Sequence, residues 1–560
     1  MKPISLSQKL TYRLLKKCQV SIAHILLSTM VLFPLVRPGY ILTLDMIFTP
    51  KLPAPSAISS SYLWQYSLHI LNFILPGQII EKLILVSIFI LSGIGAHLLT
   101  QRVIPATQKS SHQLACYFAG IIYMINPFVY TRLMAGQYEL LLGYSLIPFF
   151  IMTAWTFLNA LTIKHALRTA LLLTLISIVS IHIFGMAILV LLIAGVINAW
   201  KNRNNKTWLM NLAKYGLFMI TLIAIASSYW LIPLLLGHGQ TAQTIDSFTP
   251  ADQQAFATVP GNLGLIGNVL ALQGFWGDTK NLYLLPQDIF SWWLIPVCAL
   301  WLLVGVGAIW AWKNQRRFAV FFSAAGILGL ILAIGGAGTI FAPLNDWLYS
   351  NIPFFAGYRE SQKFAVLIVL AYAYFGSAGI YWLSSTLRKR KATDFAMLGL
   401  LLPLLCTPLL LWGAAGQLKP VNYPADWYQV NKTLTKVDTD NAKILFLPWH
   451  LYMPFNFTNR VISNPAPQFF SVPIISSQDP EISGAHGYYD STTQAINTLL
   501  AHRPAEDNQF ARRLLALNIH YIVVSKSFDY KSYSYLNNEQ GIKKYMDTRD
   551  LEVYRVMRGN

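Results

Sequence analysis

The chain has 560 residues, of which 55% are hydrophobic and only 12% are charged, and its formal net charge is +19. A soluble protein of this length would carry about twice that charged fraction. The apolar residues form continuous runs of about 17–25 residues, the length that crosses a bilayer as a helix, whereas the strands of a transmembrane β-barrel would alternate. The composition therefore predicts a polytopic α-helical membrane protein.

Eleven apolar runs are predicted to span the membrane. They lie near residues 20–38, 83–100, 114–131, 138–158, 167–182, 184–200, 215–235, 289–312, 318–336, 362–384 and 395–415. No small-x-small cleavage site follows the first run, so it is predicted to be an uncleaved helix and not a signal peptide.

The charges are distributed unequally between the loops. With the N-terminus in the cytoplasm, the six segments on that side, counted with Arg168 at the edge of the fifth run, carry twenty Lys and Arg residues and one acidic residue, Asp394. The external loops of the membrane region carry seven basic and nine acidic residues. Cytoplasmic loops are enriched in Lys and Arg. The net charge is therefore interpreted as a topology signal, with no nucleic-acid partner, and the C-terminus of this multi-pass plasma-membrane protein is predicted to lie outside.

The fifth and sixth runs are almost continuous. Basic loops flank both ends of residues 167–200, so the chain must turn back between them, and the turn is predicted near "SIHIFG" at 180–185. Each arm would be about 24 Å long at about 1.5 Å per residue, which is short for a full crossing. A half-buried hairpin is one alternative. The other is a single long tilted helix, which would invert the topology of everything that follows.

The composition changes after "WGAAG" at 412–416. Residues 1–416 are predicted to form the membrane region. Its long external loops lie at 39–82, 236–288 and 337–361, and the first contains "SSYLWQYSLHILNFILP", which has the pattern of an interfacial amphipathic helix. Residues 417–560 are predicted to form a small soluble α/β domain, with strands at "AKILFLPW", "HYIVVS" and "LEVYRV" and helices at "PADWYQVNKTLTK", "STTQAINTLLAH" and "EDNQFARRLLAL".

The unusual polar residues lie at the external edge of the membrane, and Asp45 in "LTLDMIFTP" is the first of them. Its neighbours are apolar, so the carboxylate is expected at the membrane interface, where partial desolvation raises its basicity. The functional interpretation is a general base. The structural alternative is a helix cap or an ion-pair partner of Arg37.

Arg132 and Glu139 lie in the short turn of "NPFVYTRLMAGQYELLLGYSLIPFF" (126–150). One interpretation is that they form an interfacial ion pair that closes the turn. The other is that Arg132 binds a lipid-linked phosphate, for which a planar guanidinium is well suited, while Glu139 orients Arg132 or helps to hold an acceptor.

Arg359, Glu360 and Lys363 lie at the start of the tenth run, where they are interpreted as its ordinary charged flank. The alternative is that Arg359 and Lys363 bind the same phosphate and that Glu360 supports them. His182 in "SIHIFG" is interpreted as a polar residue at a tight turn with a supporting role.

The C-terminal segment contributes aromatic residues and histidines that suit sugar rings. The candidates for acceptor binding are Trp449, His450, Tyr452 and His486, with packing against the membrane region as the alternative. The "DTD" at 438–440 is similar to the metal-binding pair of soluble glycosyltransferases, but it precedes a predicted strand and is interpreted as a turn. No metal ligand and no cofactor is predicted.

Four stretches together with the topology resemble the GT-C glycosyltransferases, in particular the subgroup that includes the large actinobacterial arabinofuranosyltransferases. They are "AGIIYMINPFVYTRLMAGQYELLLGYSLIP", "LQGFWGD", "YRESQKFAVLIVLAYAYFG" and "LFLPWHLYMPFNF". The resemblance implies a polyprenyl-phosphate-linked sugar donor and a glycan, lipid or protein acceptor as partners, besides the membrane lipids.

The same resemblance implies site residues. A catalytic carboxylate is expected early in the first external loop, where Asp45 stands, and basic residues for the donor phosphate are expected near the membrane surface, where Arg132 and Arg359 stand. Many GT-C enzymes carry two neighbouring acidic residues in this loop, often with a metal, whereas Asp45 stands alone and Glu81 is distant in sequence. The implied reaction is a single displacement that inverts the anomeric configuration.

Two other functions remain compatible with the sequence. A lipid or polysaccharide transporter would need a continuous polar path through the spans, which contain few polar residues. A non-catalytic assembly protein of envelope biogenesis would use the external domain to bind a partner.

Overall fold

The computed structural model describes residues 20–386, 389–436, 442–482, 490–501 and 509–557. Its helices are α1 Val20–Val36, α2 Tyr62–Asn72, α3 Gly77–Val103, α4 Lys109–Met124, α5 Pro127–Met134, α6 Tyr138–Asn159, α7 Ile163–Val179, α8 Ile181–Lys201, α9 Lys206–Leu235, α10 Gly239–Asp246, α11 Pro250–Ala255, α12 Gly264–Leu270, α13 Pro286–Ile289, α14 Leu294–Asn314, α15 Arg316–Ile334, α16 Ala342–Asn351, α17 Ala365–Thr386, α18 Lys389–Cys406, α19 Ala425–Leu434, α20 Ala466–Phe469, α21 Ser491–Ala501 and α22 Gln509–Ala516. Its strands are β1 Lys443–Leu447, β2 Tyr452–Pro454, β3 Val461–Ser463, β4 Ile474–Ile475, β5 Ile519–Ser525, β6 Ile542–Asp547 and β7 Leu551–Val556.

The membrane region is a helical bundle, as the apolar runs predict. In the described part of the chain, eight helices are long and apolar enough to cross a membrane, and a bent pair, Asp394–Cys406 and Pro408–Ala415, which meets at 67°, could form a ninth span. Helices α1 and α7 also fall on predicted runs but are shorter. The number of eleven full spans is therefore not confirmed.

Residues 163–201 form two helices and not one. The break lies at Ser180, the first residue of "SIHIFG", where the backbone is extended (φ −153°, ψ 110°). The side chain of Ser180 caps α8 by accepting a hydrogen bond from the amide of Ile183, which satisfies one of the free donors at a helix start. Helices α7 and α8 both pack on α6.

The C-terminal segment contains a five-stranded sheet in the order β4-β1-β5-β7-β6, in which β1 is parallel to β4 and β5, and β7 is antiparallel to β5 and β6. The three predicted strands are β1, β5 and β7, and the three predicted helices correspond to α19, α21 and α22. Side chains of a strand alternate between its faces. One face packs on α21 and α22, and the other joins the hydrophobic core of the membrane region through Trp427.

The strands β2 and β3 form a separate antiparallel hairpin. It lies against the loop that follows α1, because Leu44 pairs with Ile462 and the amide of Ser463 donates to the carbonyl of Leu44 at 2.8 Å. The C-terminal segment thus reaches the part of the membrane region that carries Asp45.

Candidate active site

The turn between α5 and α6 is built by specific local residues. Asn126 caps α5 by accepting a hydrogen bond from the amide of Val129 at 3.0 Å, and Pro127 follows at the first helical position, where proline is well tolerated. Gly136 adopts φ +74°. A Cβ at this position would collide with the amide of Met46 and the carbonyl of Thr43, so glycine allows the first external loop to cross the turn at backbone contact.

This crossing fixes the position of Asp45. Its amide donates to the carbonyl of Ala135 at 3.1 Å, and the hydroxyl of Thr43 donates to the carbonyl of Met134 at 2.6 Å. Glu81 of α3 holds the same loop, since its buried carboxylate accepts a hydrogen bond from the amide of Ile41 at 3.0 Å. The loop that carries the candidate base is therefore held by hydrogen bonds to α3 and to the α5–α6 turn.

Asp45 lines a cavity of about 680 Å³, which we call the Asp45 cavity. Gln137, Glu139, Glu360 and Lys363 line it too. The carboxylate is accessible from the cavity, yet the surrounding protein desolvates it, and this burial raises the pKa of Asp45 to about 6. A carboxylate with such a pKa is a stronger base than an ordinary aspartate and is still largely ionised at neutral pH.

Arg132 does not form an ion pair with Glu139. Its guanidinium is 0% exposed and lies 2.7 Å from the carboxylate of Glu360, while Gln137 and Gln362 accept further hydrogen bonds from it. Glu139 instead accepts a hydrogen bond from the hydroxyl of Tyr138 at 3.3 Å. The prediction that Arg132 and Glu139 form an ion pair that closes the turn is wrong, because the partner of Arg132 is Glu360, which lies 228 positions along the chain in the segment before α17.

The burial of Arg132 also changes its expected role. Arg132 does not line the Asp45 cavity, and its guanidinium stacks 4.3 Å from the ring of Phe275. Burial acts to raise the pKa of Glu360, but Lys363 and Arg132 beside it hold that pKa well below its usual range. Arg132 therefore keeps Glu360 ionised and in place at the wall of the cavity.

Lys363 is the basic side chain that does reach the cavity. Its ammonium lies 3.6 Å from the carboxylate of Glu360 and 3.2 Å from Nε2 of His182. His182 Nε2 is also 3.1 Å from the carbonyl of Gly357. His182 thus joins the start of α8 to the segment before α17.

A second cavity of about 710 Å³ adjoins the first, and we call it the Arg359 cavity. Both cavities are lined by Ser61, Gln65, Ile181, His182, Glu360 and Lys363. The rest of the Arg359 cavity is mostly apolar and includes Phe184, Ile188, Trp230, Leu231, Leu234, Ile245, Phe248, Pro353, Phe354 and Phe355. Ile232 and Leu235, beside this lining on α9, are 54% and 64% exposed. The cavity therefore lies next to an apolar outer surface of the bundle.

Arg359 is positioned by the second external loop. Its guanidinium lies 4.1 Å from the ring of Phe248, 4.2 Å from that of Phe256, and 3.8 Å from the buried carboxylate of Asp252. Asp252 belongs to a capping box with Thr249 at the start of α11. Such a box is recognisable in "TPAD", although the sequence interpretation did not use it.

The stretch "LQGFWGD" proves to support Arg132. Phe275 stacks on the guanidinium, and Asp278 accepts hydrogen bonds from the amide of Gly274 at 2.9 Å and from the hydroxyl of Tyr283 at 2.7 Å. Burial raises the pKa of Asp278 to about 6. The sequence drew attention to this motif, but nothing in it indicated contact with Arg132.

The predicted acceptor-binding residues are separated by the structure. Trp449 donates a hydrogen bond to Asn497 at 2.6 Å, and His450 lies between Glu481 and Asp529 at 2.7 and 3.2 Å. Neither residue lines the Asp45 cavity. Among the three candidates that the structure describes, Tyr452 alone reaches the site, where its hydroxyl donates to Oδ1 of Asp45 at 2.5 Å. His486 and the "DTD" at 438–440 lie outside the described residues.

Within the described ranges, no group of three or more His, Cys, Asp and Glu side chains is arranged to hold a metal ion. Glu360, in the loop before α17, lines the same cavity as Asp45. Its carboxylate forms ion pairs with Arg132 and Lys363.

Comparison with known proteins gives a result only at the level of structure. No family model matches the sequence, and no curated protein matches it. Among solved structures, the arabinofuranosyltransferase AftD from mycobacteria superposes with a TM-score of 0.58 and 14% identity over 96% of this chain.

The chain shares the fold of this GT-C glycosyltransferase. It spans about two fifths of the AftD chain, since the match covers 40% of that protein. The oligosaccharyltransferase of Archaeoglobus fulgidus matches over 96% of this chain and 73% of its own, with 14% identity and a TM-score of 0.47, which is too low to establish a shared fold. The resemblance to the GT-C glycosyltransferases that the sequence showed is thus confirmed at the level of the fold.

Proposed function

We propose that the protein is an inverting membrane glycosyltransferase that moves a sugar from a polyprenyl-phosphate donor to a hydroxyl of an envelope glycan, lipid or protein. The observation that carries this proposal is the pair of adjoining cavities. The Asp45 cavity is lined by the carboxylate of Asp45, whose basicity is raised, and the mostly apolar Arg359 cavity is lined by the guanidinium of Arg359. Lys363 lines both cavities and lies at their junction.

The donor fits the junction in one orientation. A polyprenyl chain is apolar and would occupy the Arg359 cavity beside the outer surface of the bundle. Its phosphate would then lie near Lys363 and Arg359, whose charges stabilise the leaving phosphate. Arg132 contributes indirectly, because its contact with Glu360 at 2.7 Å is shorter than the 3.6 Å between Lys363 and Glu360, so that Lys363 remains available for the phosphate.

The acceptor would enter the Asp45 cavity. Its hydroxyl oxygen attacks the anomeric carbon on the face opposite the phosphate and forms the new C–O bond, while the bond between that carbon and the phosphate oxygen breaks and its electron pair leaves with the phosphate. The hydroxyl proton passes to the carboxylate of Asp45. Holding base, acceptor and donor in fixed geometry supplies a large part of such a rate enhancement.

The donor site can be tested with Lys363→Met. A charge-assisted hydrogen bond contributes about 1.5–3 kcal/mol, so binding of a polyprenyl-phosphate sugar should weaken roughly 10- to 100-fold. The measurement is the Kd for the donor in detergent or nanodiscs. Lys280→Met, which removes an exposed lysine of the second external loop, is the matched control. Equal donor affinities for both variants and the wild type would remove Lys363 from the phosphate site.

The proposed reaction also requires the site to face outward. Single cysteines at Ser532 in the C-terminal segment and Asn204 in the loop between α8 and α9, both exposed, are introduced into a chain whose native cysteines are replaced. An impermeant maleimide added to intact cells should label the Ser532→Cys variant and not the Asn204→Cys variant. The opposite pattern would show that the topology is inverted.

A further inference from the structure

The candidate base is held on one side by the membrane region and on the other by the C-terminal segment. Backbone contacts to Ala135 and Met134 fix the loop of Asp45, whereas its carboxylate receives a hydrogen bond from Tyr452 of β2. Tyr452 and Asp45 are 407 positions apart in the sequence.

The β2–β3 hairpin directs Tyr452 toward Asp45. Met453 is 0% exposed, and neighbouring side chains of a strand point to opposite faces, so Tyr452 lies on the face of the hairpin opposite to that of Met453, where its ring is partly buried. Its cross-strand partner is Ser463, whose amide binds the carbonyl of Leu44. Two adjacent residues of the first external loop, Leu44 and Asp45, are therefore contacted by one hairpin.

We propose that Tyr452 is a positioning residue for the catalytic base, so that the C-terminal segment completes the active site. The inference rests on the proposed function. Tyr452 occupies Oδ1 of Asp45, which leaves Oδ2 to accept the proton of the acceptor hydroxyl. The phenol keeps its own proton throughout the reaction and acts only by fixing the orientation and the charge of the carboxylate.

The charged groups around Asp45 determine what loss of this contact would do. Burial and the nearby carboxylate of Glu360 raise the pKa of Asp45, while the hydrogen bond from Tyr452 and the charges of Lys363 and Arg359 lower it. A phenylalanine at position 452 keeps the ring and removes only the hydroxyl. The pKa of Asp45 should therefore rise, and more of the base should be protonated and inactive near neutral pH.

The test compares Tyr452→Phe with Tyr545→Phe, which removes the hydroxyl of an exposed tyrosine on β6. The expected result for Tyr452→Phe is a kcat lower by about tenfold, the low end for loss of a hydrogen bond to a charged group. The acid limb of its kcat/KM profile should move to higher pH, while KM for the donor stays unchanged. The Tyr545→Phe variant should match the wild type. Tyr452→Gln, which keeps a donor, should recover part of the shift.

A second readout does not depend on transfer activity. A carbodiimide reacts with protonated carboxyl groups, so the pH at which Asp45 becomes half labelled, measured by peptide mass spectrometry, follows its ionisation. This midpoint should be higher in Tyr452→Phe than in the wild type. Identical midpoints and identical acid limbs would overturn the role of Tyr452 and leave the transferase intact. If wild-type protein transfers no sugar from the donor, the proposed function fails, whatever the labelling shows.

Discussion

Replacement of Asp45 by asparagine should reduce the transfer rate by about 10²–10⁴, the usual contribution of a general base, or roughly 3–5.5 kcal/mol in the barrier. Asparagine keeps the size of the side chain and can still accept the hydrogen bond from Tyr452, but it cannot take up the proton. The measurement is single-turnover transfer from a polyprenyl-phosphate sugar by purified protein, reported per folded molecule.

The pH dependence of the wild type gives an independent check on this assignment. The pKa of Asp45 is raised to about 6, and a base acts only in its ionised form, so kcat/KM should fall as the pH decreases through about 6. A carboxylate of ordinary pKa would place this fall near pH 4. The acid limb should also be missing from the residual activity of Asp45→Asn.

A structural Asp45 would behave differently, and stability separates the two cases. Asp346→Asn, at an exposed position of α16, is the matched control and should retain full activity. If Asp45→Asn keeps its activity within a few-fold but melts at a lower temperature than the control, Asp45 is a structural residue of the loop. The proposed transferase mechanism would then have no residue to act as the general base.

The sequence predicted the helices better than the site because the two depend on different information. Apolar runs and turn residues are local, so they located α6, the break at Ser180 and the principal strands of the sheet. The length of α7 and the kink between α18 and the following turn depend on packing, so the apolar runs alone do not decide the number of full spans. The helices α10 to α13 between α9 and α14 have only four to eight residues, which is too short for a clear apolar periodicity, and they were not predicted.

For the site, the sequence indicated single residues but not the contacts between them. Asp45, Lys363 and His182 were recognised because an ionisable residue at the membrane edge is unusual in itself, and all three line one cavity. Their partners were not predictable, since Arg132 meets Glu360 and Asp45 meets Tyr452 only through the fold. Glu139 shares the cavity but not the ion pair expected for it.

The Arg132–Glu360 pair leads to the second large effect. Removing one partner of a buried ion pair typically costs about 3–5 kcal/mol, because the other charge remains buried without compensation, whereas replacing both partners by apolar groups is often nearly neutral. Arg132→Met should therefore lower the unfolding free energy of the detergent-solubilised protein by about that amount. Arg555→Met, at an exposed position of β7, should not change it.

Combining Arg132→Met with Glu360→Met decides how Arg132 acts on the donor. In Arg132→Met alone, Glu360 retains Lys363 as its remaining cation, 3.6 Å away, so Lys363 is withdrawn from the phosphate and donor binding weakens. In the double variant Glu360 no longer competes for Lys363. Stability and donor affinity should then recover together, as measured by denaturant titration and by the donor Kd. If stability recovers and donor affinity does not, Arg132 contacts the phosphate directly, and its guanidinium must leave Glu360 when the donor binds.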